Sequence, residues 1–275
     1  MQKNQFIQHK NKSIHYRVFG KGSAVVLIHG FGEDGNIWNA LIKDLQNDFL
    51  LIVPDIPGSG KSEMLEGNIS IEDYADVIKE ILNIETSKVS PKGVDLEGAV
   101  LIGHSMGGYI TLAFAKKYPE QLNGFGLFHS SAFADSEEKK EIRKKGIEFI
   151  HQHGAFEFLK NSTPNLFSPL SRDEKPELID GFIRSLSNFS DQSLVNYYEA
   201  MMQRPDRTEL LKTIALPVLF VMGKYDNAVP LQDGLKQTHM PEKSYIHILH
   251  QSGHMGMLEE PDNSNHILKQ FLSET

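Results

Sequence analysis

Residues 99–120 read AVLIGHSMGGYITLAFAKKYPE and join a short apolar run to a helical pattern that stops near Pro119. The junction, Gly103-His104-Ser105-Met106-Gly107, fits the pattern G-x-S-x-G. In this pattern a sharp turn between a strand and a helix holds a serine hydroxyl out at the carboxyl edge of a sheet. A serine at an ordinary helix N-cap is the alternative, but the position between a buried strand and a helix favours a nucleophilic Ser105.

Two residues downstream supply what a serine nucleophile requires. The hydroxyl needs a general base, the base needs an orienting acid, and one known chain order is serine, acid, histidine. Asp226 comes just after the apolar run LPVLFVMG (216–223), and His254 follows the last such run in a glycine-flanked loop. Singly, these residues could be a turn former and a loop histidine. Their order, each beyond the carboxyl end of a predicted strand, predicts a Ser105–Asp226–His254 triad.

Short apolar runs alternate with helical patterns along most of the chain. Such runs are typical of strands buried on both faces. Their alternation with helices predicts an α/β fold with a mostly parallel central sheet and helices on both faces. The runs span 24–30, 49–55, 99–105, 124–130, 216–223 and 244–250, and residues 5–19 are predicted to form a hairpin that turns at Lys10-Asn11.

The alternation stops between residues 131 and 213, where charged helical patterns carry apolar stripes and no strand-like run occurs. We interpret this block as a helical cap inserted between two strands. The predicted organisation is a core domain of residues 1–130 and 214–275 with a cap of residues 131–213. Residues 88–97 are predicted to form an exposed loop.

A serine that attacks a carbonyl creates a negatively charged oxygen, which needs hydrogen-bond donors. The backbone N–H of Met106, directly after the serine, is expected to be one donor. The stretch HGFGE (29–33) follows the first buried run, and we assign the second donor to the Phe31 N–H because Gly30 lets the loop turn inward.

Several further side chains are candidates near this site. His129 ends a predicted strand and Trp38 lies on the helix after residues 29–33, so both are candidates for the substrate pocket. We interpret His29 and His104 as structural residues that support the neighbouring loops.

The stretch PDIPGSGKS (54–62) ends like a phosphate-binding P-loop, G-x-x-x-x-G-K-[ST]. The first glycine of that pattern would fall at position 55, which is Asp55. A carboxylate there would repel the phosphate oxygens, so the sequence argues against nucleotide binding.

The composition excludes several other classes of protein. The 275 residues carry a formal net charge of −8, which argues against a nucleic-acid-binding surface. There is no cysteine, so disulfides and cysteine-based metal sites are excluded. No apolar run approaches membrane-spanning length, and the N-terminus lacks the apolar segment of a signal peptide. We expect a cytoplasmic protein with no metal, no cofactor and no membrane partner; its oligomeric state is not predictable.

The chain resembles the α/β-hydrolase superfamily over essentially its whole length outside the predicted cap. The stretches that carry the resemblance are LIHGFG, PDIPGSGKS, LIGHSMGG, GKYDNAVP and SGHMGMLEEP. In that family a D-x-x-G-x-G-x-S stretch is a structural loop near the site, which implies the same role for Asp55 to Ser62. The end of the cap is similar, locally, to enol-lactone hydrolases and related small-ester hydrolases.

The resemblance and the triad together predict a serine hydrolase that cleaves a small carboxylic ester or lactone through an acyl-enzyme on Ser105. Three alternatives use the same fold: hydrolysis of a carbon–carbon bond beside a ketone, cofactor-free perhydrolysis, and a small-molecule receptor. Burial and Asp226 are expected to have opposite effects on the pKa of His254, which predicts a nearly normal midpoint for activity against pH.

Overall fold

The centre of the computed structural model, which describes residues 3–89 and 98–275, is an eight-stranded sheet. The strands are β1 (Lys3–His9), β2 (Lys12–Phe19), β3 (Ala24–Ile28), β4 (Leu50–Pro54), β5 (Ala99–His104), β6 (Leu122–Phe128), β7 (Val218–Gly223) and β8 (Ser244–Leu249). They lie in the order β1-β2-β4-β3-β5-β6-β7-β8. The first two strands form an antiparallel hairpin and β2 pairs antiparallel with β4, whereas the other neighbours are parallel. The mostly parallel α/β sheet predicted from the sequence is confirmed.

Helices cover both faces of this sheet. The helices of the described chain are α1 (Asn39–Leu45), α2 (Ile71–Val89), α3 (Met106–Lys117), α4 (Glu137–His153), α5 (Ala155–Ser162), α6 (Pro169–Glu174), α7 (Pro176–Ser185), α8 (Asp191–Gln203), α9 (Thr208–Thr213), α10 (Leu231–Leu235), α11 (Gly256–Glu259) and α12 (Pro261–Ser273). On one face α2 packs beside α3, and the core includes Ile78 and Phe114. On the other face α1 packs beside α12, and the core includes Leu41 and Phe271.

The six apolar runs correspond to β3 through β8, and the predicted hairpin is β1–β2. Its two turn residues, Lys10 and Asn11, have φ values of 48° and 61°. Positive φ at both central positions matches the right-handed twist of the flanking strands, which is why such two-residue turns are favoured in hairpins.

Helices α4 to α9 form the segment between β6 and β7, and residues 131–213 contain no strand. We call residues 131–213 the inserted helical segment. Its treatment as a separate cap domain, with core boundaries at 130 and 214, stays a prediction. Helix α2 continues to Val89, and residues 90–97 of the predicted exposed loop lie outside the described residues.

The loop after β4 shows why the P-loop resemblance is accidental. The Asp55 carboxylate accepts hydrogen bonds from the backbone N–H groups of Gly35 (3.1 Å) and Lys61 (3.0 Å), and it faces the His15 ring at 2.8 Å. Gly60 has a φ of +51°, and a Cβ there would lie 2.2 Å from the Asp55 carboxylate. The loop is therefore folded around an internal carboxylate, and the Lys61 amide is already hydrogen-bonded.

Candidate active site

Ser105 lies at the junction of β5 and α3 in an unusual backbone conformation. Its φ and ψ are 51° and −116°, a region that non-glycine residues rarely occupy and that costs free energy. The surrounding backbone holds this conformation: the Ser105 N–H donates to the Phe128 carbonyl at 3.0 Å, and the Ser130 hydroxyl donates to the Ser105 carbonyl at 2.7 Å. The structure thus places the serine on the sharp turn that the G-x-S-x-G pattern predicts.

The two glycines of the pattern are required by the close approach of α3 to the sheet. A Cβ on Gly103 would lie 2.2 Å from the Gly107 carbonyl oxygen. A Cβ on Gly107 would lie 2.4 Å from the carbonyl oxygen of Ile28 in β3. Real Cβ contacts are never this short, so any larger residue at either position would force the strand and the helix apart.

Asp226 lies in the loop after β7 with both carboxylate oxygens in use. One oxygen, Oδ1, accepts from the N–H groups of Ala228 (2.9 Å) and Val229 (2.8 Å). The other, Oδ2, lies 2.8 Å from Nδ1 of His254. Burial would raise the pKa of the Asp226 carboxyl, but the neighbouring His254 and His129 outweigh it and hold that pKa well below its usual range. The carboxylate is thus fixed in orientation and ionised.

His254 is buried in the loop after β8, and its ring orientation follows from Asp226. Because a carboxylate oxygen only accepts, Nδ1 of His254 is the donor, and the neutral ring leaves Nε2 as an acceptor. Burial disfavours the imidazolium, but Asp226, helped by Glu33 and Glu259, outweighs burial and raises the pKa of His254 above its ordinary value. The two effects therefore do not cancel, and we expect the midpoint of activity against pH to lie above that of an ordinary histidine instead of close to it.

Ser105 and His254 both line one cavity of about 260 Å³. Within residues 3–89 and 98–275, no hydrogen bond joins the Ser105 hydroxyl to the His254 ring. Such bonds are often long or poorly aligned before substrate binds. The structure thus brings Ser105, His254 and Asp226 to the same edge of the sheet, with the direct contact formed between the acid and the histidine.

The residues assigned as oxyanion donors are Phe31, in the loop after β3, and Met106, which directly follows Ser105. Phe31 lines the cavity, and Met106 is the first residue of α3. In the described part of the chain, neither backbone N–H is hydrogen-bonded to a protein acceptor. Both amides are therefore available as donors, and their role stays a prediction.

His129 and Trp38, expected in the substrate pocket, are placed elsewhere by the structure. Both are fully buried, and neither lines the cavity that contains Ser105. Trp38 packs edge-on against Phe128, with ring centroids 5.6 Å apart. A buried aromatic side chain and a pocket aromatic give the same signal in a sequence, which explains the difference.

His129 instead contacts the same carboxylate oxygen as His254. Its Nδ1 lies 3.1 Å from Asp226 Oδ2, and its Nε2 accepts from the Gly256 N–H at 3.3 Å. Since Nε2 accepts, Nδ1 carries the proton and donates to Asp226. Burial lowers the pKa of His129 to about 4, so the ring stays neutral at neutral pH.

Glu33 and His104 form a buried pair that sequence reasoning missed in part. The Glu33 carboxylate accepts from the Gly30 N–H (2.7 Å) and from Nδ1 of His104 (2.9 Å), and Nε2 of His104 lies 2.9 Å from the His254 carbonyl oxygen. Burial would raise the pKa of Glu33, but His104 outweighs it and lowers that pKa. The pair ties the Phe31 loop, the serine turn and the histidine loop together. The sequence feature that could have indicated Glu33 is its position directly after HGFG, where a charged residue follows a predicted buried strand and its loop. The contacts of His104 agree with the structural role that the sequence suggested for it.

The histidine loop is built against the inserted helical segment. The His254 N–H donates to the Leu166 carbonyl at 2.6 Å. Glu259 accepts from the N–H groups of Gly253 and Ser168, both at 2.8 Å. A Cβ on Gly253 would lie 2.5 Å from the Leu166 carbonyl oxygen, so this glycine is required by the close packing.

Two other features resemble binding sites. Ligand atoms of His129, Asp226 and His254 lie within 4.8 Å of one another and could hold a metal ion. A metal there would displace the hydrogen bonds that both histidines make to Asp226, and the expectation of no metal and no cofactor stays a prediction. A larger cavity of about 520 Å³ is lined by polar residues that include Asp55 and Lys61, and its wall contains no member of the triad.

A parallel sheet that carries a serine on a strained strand-to-helix turn, with an acid and a histidine after later strands, is the arrangement of the α/β-hydrolases. The chain belongs to the alpha/beta hydrolase family, whose model matches residues 25–265. The superfamily and fold predicted from the sequence are confirmed, and so is a hydrolase as the class of enzyme.

The relatives include hydrolases of different bonds. The structure is similar to that of a thermophilic esterase from Thermogutta terrifontis, solved with malate bound, which is 27% identical, with a TM-score of 0.89 and coverage of 99% of this chain and 98% of that chain. The chain is also 25% identical to the 2-hydroxy-6-oxo-6-phenylhexa-2,4-dienoate hydrolase of Comamonas testosteroni over 95% of this chain and 91% of that protein. An enol-lactonase from Burkholderia xenovorans shares the fold at 19% identity, with a TM-score of 0.87 and coverage of 98% of this chain and 100% of that chain.

Across residues 3–89 and 98–275, none of the helices has the length and hydrophobicity that spanning a bilayer requires. Localisation in the cytoplasm stays a prediction.

Proposed function

We propose that this protein is a serine hydrolase that cleaves a small carboxylic ester or lactone through an acyl-enzyme on Ser105. The observation that carries the proposal is the 2.8 Å contact between His254 Nδ1 and Asp226 Oδ2, in a loop that shares a cavity with Ser105. The similarity to the Thermogutta esterase supports the same class of substrate.

In the proposed mechanism His254 Nε2 takes the proton from the Ser105 hydroxyl as the oxygen attacks the carbonyl carbon. Asp226 holds the ring in the tautomer that can accept this proton and stabilises the imidazolium that forms. The imidazolium then protonates the leaving alcohol. In the second half His254 takes a proton from water as the water attacks the acyl carbon. The imidazolium then returns this proton to the Ser105 oxygen as its bond to the acyl carbon breaks, which releases the acid and restores the free enzyme.

The negative charge that develops on the carbonyl oxygen is proposed to lie between the Phe31 and Met106 N–H groups. Removing one such donor typically costs on the order of 10²- to 10³-fold in turnover. Because both donors are backbone groups, side-chain substitution cannot remove them. We propose instead that the Glu33–His104 pair, which also contacts the histidine loop, positions the Phe31 loop.

The cavity suits short substrates. Its volume of about 260 Å³ is below the range of roughly 300–1,000 Å³ that is common for ligand pockets. The inserted helical segment contributes Leu166, Tyr198 and Met201 to its wall. We therefore propose that this segment acts as a cap over Ser105 and limits the substrate to short acyl groups.

Hydrolysis of a carbon–carbon bond is the second candidate, and the similarity to the dienoate hydrolase of Comamonas testosteroni favours it. The same triad and oxyanion donors would serve a ketone beside the bond that breaks. A panel of short aryl esters, lactones and β-diketones, with and without hydrogen peroxide, separates ester, lactone, carbon–carbon and perhydrolase activity. Ser105→Ala serves as the blank. Binding without turnover of any class would support the receptor alternative and contradict the proposal.

A further inference from the structure

Two cations of α4 face the cavity that contains Ser105. Lys139 and Arg143 are four residues apart, so they lie on the same side of the helix, and both line the cavity. In the described part of the chain, Lys139 Nζ contacts only the Ala228 carbonyl oxygen, at 3.4 Å, and no carboxylate. A cation in a partly enclosed site gains most from an anionic partner, because the surrounding dielectric is low.

Arg143 is held in place by the Asp135 carboxylate, which also pairs with a second arginine, Arg204. Its Nε and Nη2 donate to Asp135 at 2.6 and 3.3 Å, and the same carboxylate pairs with Arg204 Nη1 at 2.9 Å. The Arg143 guanidinium also lies 5.4 Å from the centre of the Tyr198 ring. The Asp135 carboxylate is thus shared between two guanidinium groups, and Asp206 supplies a second negative charge near Arg204, so Lys139 is the cation of this wall that has no carboxylate partner among the described residues.

Of the two carboxylates near Ser105, Glu33 lines the cavity, whereas Asp226 lies behind His254 and is not part of the wall. Glu33 accepts from Gly30 and His104, and Asp226 faces two histidines. Within the described residues, neither carboxylate forms an ion pair with a cation of α4. Of the two cations on the α4 wall, Arg143 is therefore paired with Asp135, whereas Lys139 forms no ion pair within the described residues.

We propose that Lys139 and Arg143 form a subsite for a carboxylate carried by the substrate. The substrate class is then a small ester or lactone that bears a second, ionised carboxyl group. This inference rests on the proposed function for its reaction and adds the recognition of the non-reacting end. The small cavity supports it, because a short substrate that reaches Ser105 also reaches the α4 wall. Arg143, which is oriented by Asp135, would present its remaining donors without losing further side-chain freedom.

Two matched pairs of substrates test the subsite. The half ester 4-nitrophenyl adipate carries the charge on a six-carbon acyl group and is compared with neutral 4-nitrophenyl hexanoate. The anion 4-acetoxybenzoate carries it on the leaving group and is compared with its neutral methyl ester. We expect kcat/KM for the anion of at least one pair to exceed that of its neutral partner by about 10-fold or more, since hydrogen bonds between charged groups contribute strongly. Added salt should reduce this ratio.

Variants of α4 locate the subsite. Lys139→Gln should lower the anion-to-neutral ratio of kcat/KM by roughly 10-fold, because one charge-assisted hydrogen bond is lost. Lys140→Gln removes the neighbouring charge, which pairs with Glu137 and does not line the cavity, and should leave the ratio unchanged. Arg143→Lys keeps the charge but loses the planar fork and should lower the ratio less than Arg143→Gln does.

Binding without turnover separates this inference from the proposed function. Calorimetric titration of Ser105→Ala with monomethyl adipate and with dimethyl adipate should show tighter binding of the anion, and Lys139→Gln in that background should remove the difference. Equal binding of the two esters, or a neutral substrate preferred in both pairs, would overturn the subsite even if ester hydrolysis is observed. Anion-selective binding without hydrolysis of any ester would support the subsite and refute the proposed reaction.

Discussion

Replacement of Asp226 by asparagine tests the arrangement of the triad most directly. Asp226 Oδ1 accepts from two backbone N–H groups, so the amide oxygen of an asparagine must stay at that position. The amide NH₂ then faces His254 and His129, which both donate to Oδ2 in the wild type. His254 can avoid two opposed donors by moving its proton to Nε2. In that tautomer the nitrogen that faces the cavity cannot accept the serine proton.

The magnitude follows from these contacts. The wrong tautomer costs about 10⁴-fold in kcat when the same substitution is made in the triad of a serine protease. His129 cannot adapt in the same way, because its Nε2 already accepts from Gly256. Its Nδ1–H is left without an acceptor, which costs about 1–3 kcal/mol of a total stability of roughly 5–15 kcal/mol. Asp226→Asn should therefore fold, with a lower melting temperature and a kcat reduced by up to about 10⁴-fold.

The assay is the steady-state hydrolysis of a short aryl ester, with circular dichroism and thermal melting to check the fold. Asp233→Asn is the matched control, since Asp233 is a partly exposed residue of α10 that pairs with Lys236 at 2.7 Å and does not line the cavity that contains Ser105. A folded Asp226→Asn protein with a kcat within about 10-fold of wild type would refute the assignment. Asp135 could not replace it, because its carboxylate lies between Arg143 and Arg204.

Four further outcomes are expected. Ser105→Ala should lose on the order of 10⁴- to 10⁶-fold in kcat and all labelling by a serine-directed phosphonate; a labelled alanine variant would exclude Ser105 as the nucleophile. The acylation rate should fall as pH decreases through a midpoint above ~6.5, because the base must be neutral and the raised pKa of His254 keeps its proton on to higher pH; a flat single-turnover profile from about pH 5 to 8 would contradict this. Gly107→Ala should destabilise by about 1–3 kcal/mol or more, whereas Gly181→Ala, in the open face of α7, should stabilise slightly; equal melting temperatures would show that the turn tolerates a side chain. His129 has a pKa of about 4 in the folded chain, so between about pH 6.5 and pH 4 the unfolded chain binds a proton there and the folded chain does not. The free energy of unfolding should therefore decrease by up to about 3 kcal/mol as the pH is lowered through this range, and His129→Asn should shift acid unfolding to lower pH. An unchanged midpoint of acid unfolding would argue against this histidine as an acid-sensitive group.

The fold and the grouping of the triad were accessible from the sequence for a physical reason. Parallel strands end at one edge of their sheet, so residues that follow β5, β7 and β8 meet there whatever the loop details are. The order of Ser105, Asp226 and His254 along the chain was therefore enough to predict that they come together. The glycines of the turn carried the rest of the signal, because only a close strand-to-helix approach requires them.

The contacts behind the triad were not accessible in the same way. Glu33 and His104 are 71 positions apart, and no local pattern shows that one accepts from the other. His129 could not be distinguished from a pocket residue, because its direction depends on a positive φ of 50° at the end of β6. The raised pKa of His254 depends on Glu33 and Glu259 as well as Asp226, and the sequence alone did not show that these carboxylates surround the ring.

The hydrogen bond from the His254 N–H to the Leu166 carbonyl has a consequence for recombination of these proteins. Residues 166–168 and 253–259 form one matched contact, although about 90 positions separate them in the chain. A chimera that takes the inserted helical segment from one parent and the last loop from another would keep the sheet, the serine turn and Asp226. Such a chimera would nevertheless lose the contacts that position His254, the proposed base. Crossovers between relatives should therefore inherit both pieces from the same parent, and diversity in the substrate wall is better introduced within α4 and α8, which do not contribute to that contact.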